Sequence, residues 1–495
     1  MDRPFAGQDV VGHVSRLTTT CRTLAAVKVL LVSTYELGRQ PVHLASPKAS
    51  LTRGGVDVVT LDLSVEGWDP HLIDDVDGVA FSVPMHTAMR LAVSVAKTVR
   101  NLRPDLPIAF YGLYAAVGSE MTLREVADVL IVGEYEPDLL AWARALADGR
   151  TRLHGMRRHL GRSSFEAPRR SGLPGHDNYA RLEWEGVARV AAAVEASHGC
   201  RHRCRHCPIP AVYDGRMRVV GAEAVLTDIE RLVDEGVEHV TFGDPDFLNA
   251  PRYSIGLLRD AHAAHPDLTF DVTAKVEHIL AHERLWPEMA SLGVLFVVSA
   301  FESTDERTLQ ILDKGHTLND MARAVDVIRT AGAHIRPTWL PFVPWTTPGD
   351  LGDLARFLDS HRLWSATDPV QLAIKLLIPQ GSLLEDHPAV VPHLAYYAPE
   401  TLTWAWEFEH ASAERLQEGL DVIAAEGSDC GAEALETLAS MRARIANASG
   451  VDLPDMPDPL PAPRLTESWF CCAEPTAAQA AAVGLTIGRV PSASR

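Results

Sequence analysis

Short runs of β-branched and leucine residues alternate with amphipathic stretches along most of this chain. Val27 to Val32, Val56 to Leu61, Val79 to Val83, Ile108 to Tyr111 and Val129 to Val132 each read as a buried strand. Between them lie stretches of helical period, such as Thr87 to Leu102, where Met89, Val93 and Val99 are among the apolar positions. Gly133-Glu134-Tyr135-Glu136 opens a further helix that reaches Leu146. Strands alternating with helices predict an open parallel α/β sheet over residues 1–149, behind a loose leader that ends near Ala26. Residues 150–180 are rich in Arg, Gly, Ser and Pro, show no sustained period, and read as a linker.

The alternation resumes at Val190. Predicted strands are Val190–Ser197, Val237–Phe242, Leu268–Ala274, Val294–Ala300, His334–Leu340 and Val370–Leu377. The helix from Ala222 to Glu235 presents Val225, Ile229, Leu232 and Val233 on one face and stops at Gly236; Ala322 to Ala331 stops in the same way at Gly332. Six βα units over residues 181–390 predict a partial (β/α)6 barrel, whose functional residues gather at the carboxyl ends of the strands. Residues 391–495 predict a mostly helical and extended C-terminal tail. There Trp404, Trp406 and Phe408 alternate, Ala432 to Ile445 reads as a helix, and Val451 to Leu465 is proline-rich.

Composition narrows the class. A chain of 495 residues is too long for one ordinary core, and its 46% hydrophobic content supports well-buried domains. The net charge of −19 and a pI near 5.5 argue against nucleic-acid or membrane-surface partners, both of which need basic patches. No apolar stretch approaches membrane-spanning length, and Met1 to Arg22 lacks a signal pattern. Seven cysteines, with three on one loop, point to a reducing, cytoplasmic setting and not to a disulfide scaffold.

Those three are Cys200, Cys204 and Cys207, in Ser197-His198-Gly199-Cys200-Arg201-His202-Arg203-Cys204-Arg205-His206-Cys207. A strand that feeds a tight CxxxCxxC loop brings together soft thiolates able to hold iron–sulfur or zinc. Three thiols leave one iron of a four-iron cluster without a protein ligand, which opens a position for chemistry. The zinc reading needs a distant fourth ligand, and zinc sites favour repeated C-x-x-C pairs.

Spacing and context resemble the radical S-adenosylmethionine (SAM) superfamily. The position before the third cysteine, usually aromatic in that family, is His206 here. After the second barrel strand, Gly243-Asp244-Pro245-Asp246 resembles the family's SAM motif, in which carboxylate and backbone hold the methionine ammonium; a capping turn is the alternative. Lys275 and Glu277 follow the third strand and match polar SAM contacts or a surface ion pair. Glu302 and Ser303 follow the fourth strand and resemble the family's Glu-Ser element. Arg336 on the fifth strand pairs with the SAM carboxylate or forms a structural ion pair; Ile378 after the sixth packs on adenine or in the core. The resemblance implies a 4Fe-4S cluster, bound SAM, and reductive cleavage to a 5′-deoxyadenosyl radical. It also implies an electron donor such as flavodoxin or ferredoxin, and a small-molecule or soft-element substrate.

The N-terminal region resembles the cobalamin-binding domain that precedes many radical SAM domains. The Asp-x-His-x-x-Gly motif of histidine-ligated cobalamin is replaced by Ser33-Thr34-Tyr35-Glu36-Leu37-Gly38, and the later glycine pair by Gly112-Leu113-Tyr114. That argues for a retained fold that walls the site and against cobalamin with a histidine ligand; binding without a protein axial ligand stays open. The tail Cys471-Cys472-Ala473-Glu474-Pro475 resembles that of a radical SAM group written CUAEP or CCAEP, where a relative can carry selenocysteine at the second position. Cys471 and Cys472 are therefore candidate catalytic thiols, soft enough to chelate arsenic or selenium, with plain burial as the alternative. Transfer of a 3-amino-3-carboxypropyl group from SAM to such an acceptor is a second enzymatic reading. A non-catalytic iron–sulfur or zinc sensor is the reading from another class.

Overall fold

The computed structural model describes residues 27–148, 153–467 and 474–484. The leader with Cys21, and Trp469, Phe470, Cys471 and Cys472 of the tail, lie outside the described residues.

Buried apolar runs make the N-terminal strands β1 (Lys28–Ser33), β2 (Asp57–Asp62), β3 (Gly78–Ser82), β4 (Ile108–Tyr111) and β5 (Val129–Gly133). They join β6 (Gly155–His159) in a parallel sheet of order β2-β1-β3-β4-β5-β6. β6 falls where the composition reads as linker. Its residues Gly-Met-Arg-Arg-His are half-buried or exposed, as an edge strand tolerates, so no apolar run marks it. Helices Val42–Arg53 and Glu136–Ala147 cover one face of the sheet; Trp142 and Leu139 bury against Val29, Leu31 and Ile131. Helix His86–Leu102 covers the other with Met89, Val95 and Val99.

The second sheet starts with an antiparallel pair, β7 (Arg181–Trp184) and β8 (Val187–Val194). Glu185 and Gly186 both take positive φ in the turn between them, as a two-residue hairpin requires. A short antiparallel pair follows, β9 (Ser197–Gly199) and β10 (Met217–Val219). Then β11 (His239–Phe242), β12 (Thr269–Thr273), β13 (Val294–Glu302) and β14 (His334–Trp339) extend from β8 in parallel. Phe242, Phe270, Val297 and Trp339 fill the interior with the helices that follow each strand.

The sixth barrel strand expected at Val370–Leu377 does not form. Pro369–Leu372 is a 3-10 turn, and parallel pairing survives only as a bridge between Phe342 and Lys375. Pro341 and Pro344 on the partner segment lack the N–H groups that a longer ladder needs. A hairpin of β15 (Leu394–Ala398) and β16 (Thr403–Trp406), then helices Ala411–Asp429 and Ala434–Ser449, pack on this side. The proline-rich stretch runs extended along the barrel, held by Arg362 on the Asp458 carbonyl and Ser365 on that of Leu460. It ends in β17 (Arg464–Leu465), paired antiparallel with β7. No helix among the described residues is long and apolar enough to cross a membrane.

The segment between the sheets is tied down by one buried guanidinium. Arg170 makes a bidentate pair with Asp228 at 2.9 and 2.8 Å, and also donates to Gln40 Oε1 and the Ala193 carbonyl. Both ionic side chains are almost fully buried, at 4% and 2% exposure, so removal of one leaves the other charge stranded. Arg170→Ala is expected to destabilise the protein by about 3–5 kcal/mol in a denaturant titration, while exposed Arg356→Ala changes it little.

Candidate functional site

The cysteine loop is rooted before it begins. Asp244, just past β11, accepts from Ala196 N at 2.9 Å and from Ser197 Oγ at 2.5 Å. Burial pushes its carboxyl up to about 7, against the pull of those hydrogen bonds. Gly199 has φ +72°, and a Cβ there would overlap the Arg216 carbonyl, so the turn into the loop requires glycine. Cys200 and Cys204 are then buried and Cys207 half-buried; all three are free thiols. Burial pushes the Cys207 thiol up to about 12, with Cys204 and Cys200 adding to it. Such a set is costly as bare thiolates and matches a metal cluster, whose charge reverses that penalty. Asn249, which the sequence motifs do not mark, donates to Cys200 Sγ at 3.4 Å.

Beside the cysteines, the carboxyl end of β13 turns sharply. Glu302 sits at φ +68°, a strained value for a residue with a side chain. Its Oε1 accepts from His206 at 3.0 Å and Lys314 at 3.1 Å. Burial alone would raise the Glu302 carboxyl, but Lys314 and His206 hold it far below its ordinary range. His206, which departs from the family pattern, thus gains a role as a carboxylate partner. Lys314 was not legible as a site residue. Ser303 Oγ is engaged locally by Asp305 N.

The Gly243–Asp246 turn opens on the same end of the barrel. Gly243 is exposed, and a Cβ there would meet nothing closer than Glu195 and Val194 at 3.5 Å. No protein contact demands glycine, so the missing side chain leaves room for a ligand. Pro245 is half-buried. Asp246 is fully buried, caps Leu248 N at 3.0 Å, and lies 2.8 Å from His278 Nδ1. His278 Nε2 is 3.2 Å from His202 Nε2, and Lys275 Nζ is 3.0 Å from His202 Nδ1 and 3.3 Å from Glu277. His202, Asp246 and His278 thus converge as metal donors would, but the adjacent ammonium disfavours a cation and fits a hydrogen-bonded relay.

Two expected SAM contacts are not assembled here. Arg336 lies in the middle of β14, away from its carboxyl end, and gives its guanidinium to Asp368 at 2.8 Å and the Pro463 carbonyl at 3.0 Å. Ile378 ends no strand; it is fully buried in a core cluster with Leu376 and Trp406.

Sequence reading also missed a buried ionic chain between the two sheets. Glu36 lies 3.0 Å from His43 Nδ1, His43 Nε2 3.3 Å from Glu195, Glu195 3.3 Å from His198 Nε2, and His198 Nδ1 2.9 Å from Glu134. Burial opposes charge on both imidazoles, but the flanking carboxylates raise both well above the ordinary histidine value. Glu36 and Glu134 come from the carboxyl ends of β1 and β5, Glu195 and His198 from the root of the cysteine loop.

Residues 194–358 match the Radical SAM superfamily. The chain is similar to an uncharacterized methyltransferase, PH0819, of Pyrococcus horikoshii, 24% identical over 262 residues, covering 50% of this chain and 56% of that relative. It is also similar to a hopanoid C-2 methylase of Rhodopseudomonas palustris, 22% identical over 149 residues, covering 29% of this chain and 28% of that one. The chain thus spans about half or less of these curated relatives. Among solved structures, OxsB, a cobalamin-dependent SAM radical enzyme with aqua-cobalamin and SAM bound, superposes with TM-score 0.61 at 14% identity, over 86% of this chain and 72% of that one. TsrM of Kitasatospora setae, a radical SAM methyltransferase with cobalamin and a [4Fe-4S] cluster, gives 0.54 at 18% identity, over 68% and 73%. Both likenesses show the fold, an N-terminal cobalamin-binding-like sheet before a half-barrel. Both neighbours hold cobalamin, which weighs against the low expectation for that cofactor drawn from the missing histidine.

Replacement of Cys200, Cys204 and Cys207 by alanine together is expected to abolish iron and sulfide retention after anaerobic reconstitution, with unchanged far-ultraviolet circular dichroism. Asp244→Ala is expected to lower stability by about 1–3 kcal/mol, because Ala196 N and Ser197 lose a buried acceptor. Asp244→Asn restores an acceptor for the backbone and is expected to recover most of that loss in thermal melts.

Proposed function

We propose, from the match of residues 194–358 to the Radical SAM superfamily, that this chain is an enzyme that holds a 4Fe-4S cluster on Cys200, Cys204 and Cys207 and cleaves SAM reductively. The observation that supports this best is the pairing of the three-thiol loop with the Glu302, Lys314 and His206 group beside it. A cluster, when bound there, supplies the electron that breaks a carbon–sulfur bond of SAM and an open iron for its amino and carboxylate groups.

The protein's part is to orient and to exclude water. Lys314 and His206 both reach Oε1 of Glu302, which leaves Oε2 to accept from a donor group of SAM. Lys275 offers an ammonium to the SAM carboxylate, with Glu277 and His202 to hold it in place. Open space above Gly243 admits the ligand next to the backbone. Asp244 acts one step back, as a positioning residue for the cysteine loop. The sheet of the N-terminal region walls the site and keeps bulk water off the buried ionic chain.

A one-electron donor such as flavodoxin or ferredoxin, and a small-molecule or soft-element substrate, belong to the same proposal. So do Cys471 and Cys472 as reactive thiols, on the chemistry of vicinal soft donors alone.

Anaerobic incubation with SAM and dithionite, read by mass spectrometry, is expected to yield methionine and 5′-deoxyadenosine. Appearance of 5′-methylthioadenosine instead places the break at the other bond and favours 3-amino-3-carboxypropyl transfer; no fragment at all contradicts the proposal. Glu302→Gln is expected to weaken SAM binding about tenfold or more, since it removes a charged acceptor, and to leave iron content unchanged.

A further inference from the structure

The N-terminal sheet reverses its strand order between β1 and β3. An open sheet of this winding binds its ligand in the crevice outside the carboxyl ends of those two strands. In this chain the crevice has an occupant. Glu474 forms an ion pair with Arg90 and stands 3.4 Å from His86 Nε2, both in the first turns of the helix that follows β3. Val483 packs on the cluster of Tyr35, Met85, Ala88 and Leu91, which comes from both loops of the crevice. Pro475 and Ala480 are buried. On the β1 side, Glu467 lies over Gly38, where φ is +64° and a Cβ would overlap the glutamate. The chain thus grips both loops of its own switch point.

We propose that the C-terminal segment 474–484 takes the place of a corrin, so that the N-terminal domain is a seat for this segment of the chain and not for cobalamin. The seam with the barrel supports this independently. A corrin placed between the sheet edge and the barrel needs an open slab. Here Val132 at the end of β5 packs directly on Val212 and Tyr213, next to the cysteine loop. His43 and His198 bridge to carboxylates across the same seam. The cavity left beside Ser46, Glu195 and His198 measures about 20 Å³, room for one water. Beneath the C-terminal segment a cavity of about 420 Å³ remains, lined by Thr34, Tyr35, Ser64, Tyr179, Glu467 and Gln479 among others. It suits a small polar molecule. No Lys, Arg or His is among its described lining residues, so it offers no cation to the phosphate of a cobalamin nucleotide arm.

The test uses the full-length protein reconstituted with its cluster. Wild type is incubated with excess hydroxocobalamin, desalted, and read by visible absorbance; no cobalamin is expected to survive. In parallel, hydrogen exchange is followed by mass spectrometry in wild type, Glu474→Gln and Val483→Asp. Amides 34–38 and 83–91 are expected to exchange about tenfold faster in the variants, as local opening becomes easier, with exchange in β11 to β13 unchanged. Stoichiometric cobalamin on wild type overturns the proposal. So does wild-type exchange at both crevice loops in the two variants, because the segment then holds nothing closed. Neither readout depends on SAM cleavage, so failure here is separable from failure of the proposed reaction.

Discussion

Two half-buried imidazoles, His43 and His198, set among the carboxylates of Glu36, Glu195 and Glu134, join the N-terminal sheet to the root of the cysteine loop. Glu36, His43, Glu195, His198 and Glu134 alternate in sign, and each link is 3.3 Å or shorter. A buried ion costs several kcal/mol unless it is fully paired, so loss or displacement of one member strands its neighbours. The chain therefore fixes β1 and β5 against the segment that leads into Cys200. Asp244 fixes the same segment from the barrel side, through Ala196 and Ser197. The segment that leads into the thiols is thus held from both sides by protein contacts, as a preorganised site requires.

The fold was legible wherever burial is two-sided. The strands of the first sheet carry near-continuous apolar runs, and their observed limits differ from the sequence reading by one residue or so. β6 escaped notice because an edge strand has no such run. Val370–Leu377 misled for the opposite reason: it is apolar and buried, but its partner segment carries prolines that prevent a ladder. At the site, the cysteine loop and the Gly243–Asp246 turn could be located after their strands because loop spacing is local information. Lys314, Asn249 and His43 could not, since each matters through a contact far away in sequence, with Glu302, Cys200 and Glu195. Arg336 looked like a ligand-facing cation, yet its place in mid-strand gives it to Asp368.

Glu474 illustrates how a residue without a role in the sequence acquires one in the fold. In sequence it stands two positions after Cys472, where an acid does nothing to favour a thiolate. As a partner for Arg90, which is 8% exposed and also feels the charge of Glu400, it pairs a buried guanidinium near the head of a helix. The path to it is laid by the extended proline-rich stretch and β17, which carry the chain from the far side of the barrel to Gly38. Segment 474–484 thus meets the loops that follow β1 and β3, and the barrel lies between them in sequence.

Everything proposed for the site rests on a cluster with one iron open to SAM. Electron paramagnetic resonance of the dithionite-reduced, reconstituted protein tests this most directly. The expected signal is that of a single reduced 4Fe-4S cluster whose shape and g values change when SAM is added. A signal that SAM leaves untouched, or a protein that binds zinc and shows no cluster signal, would contradict it.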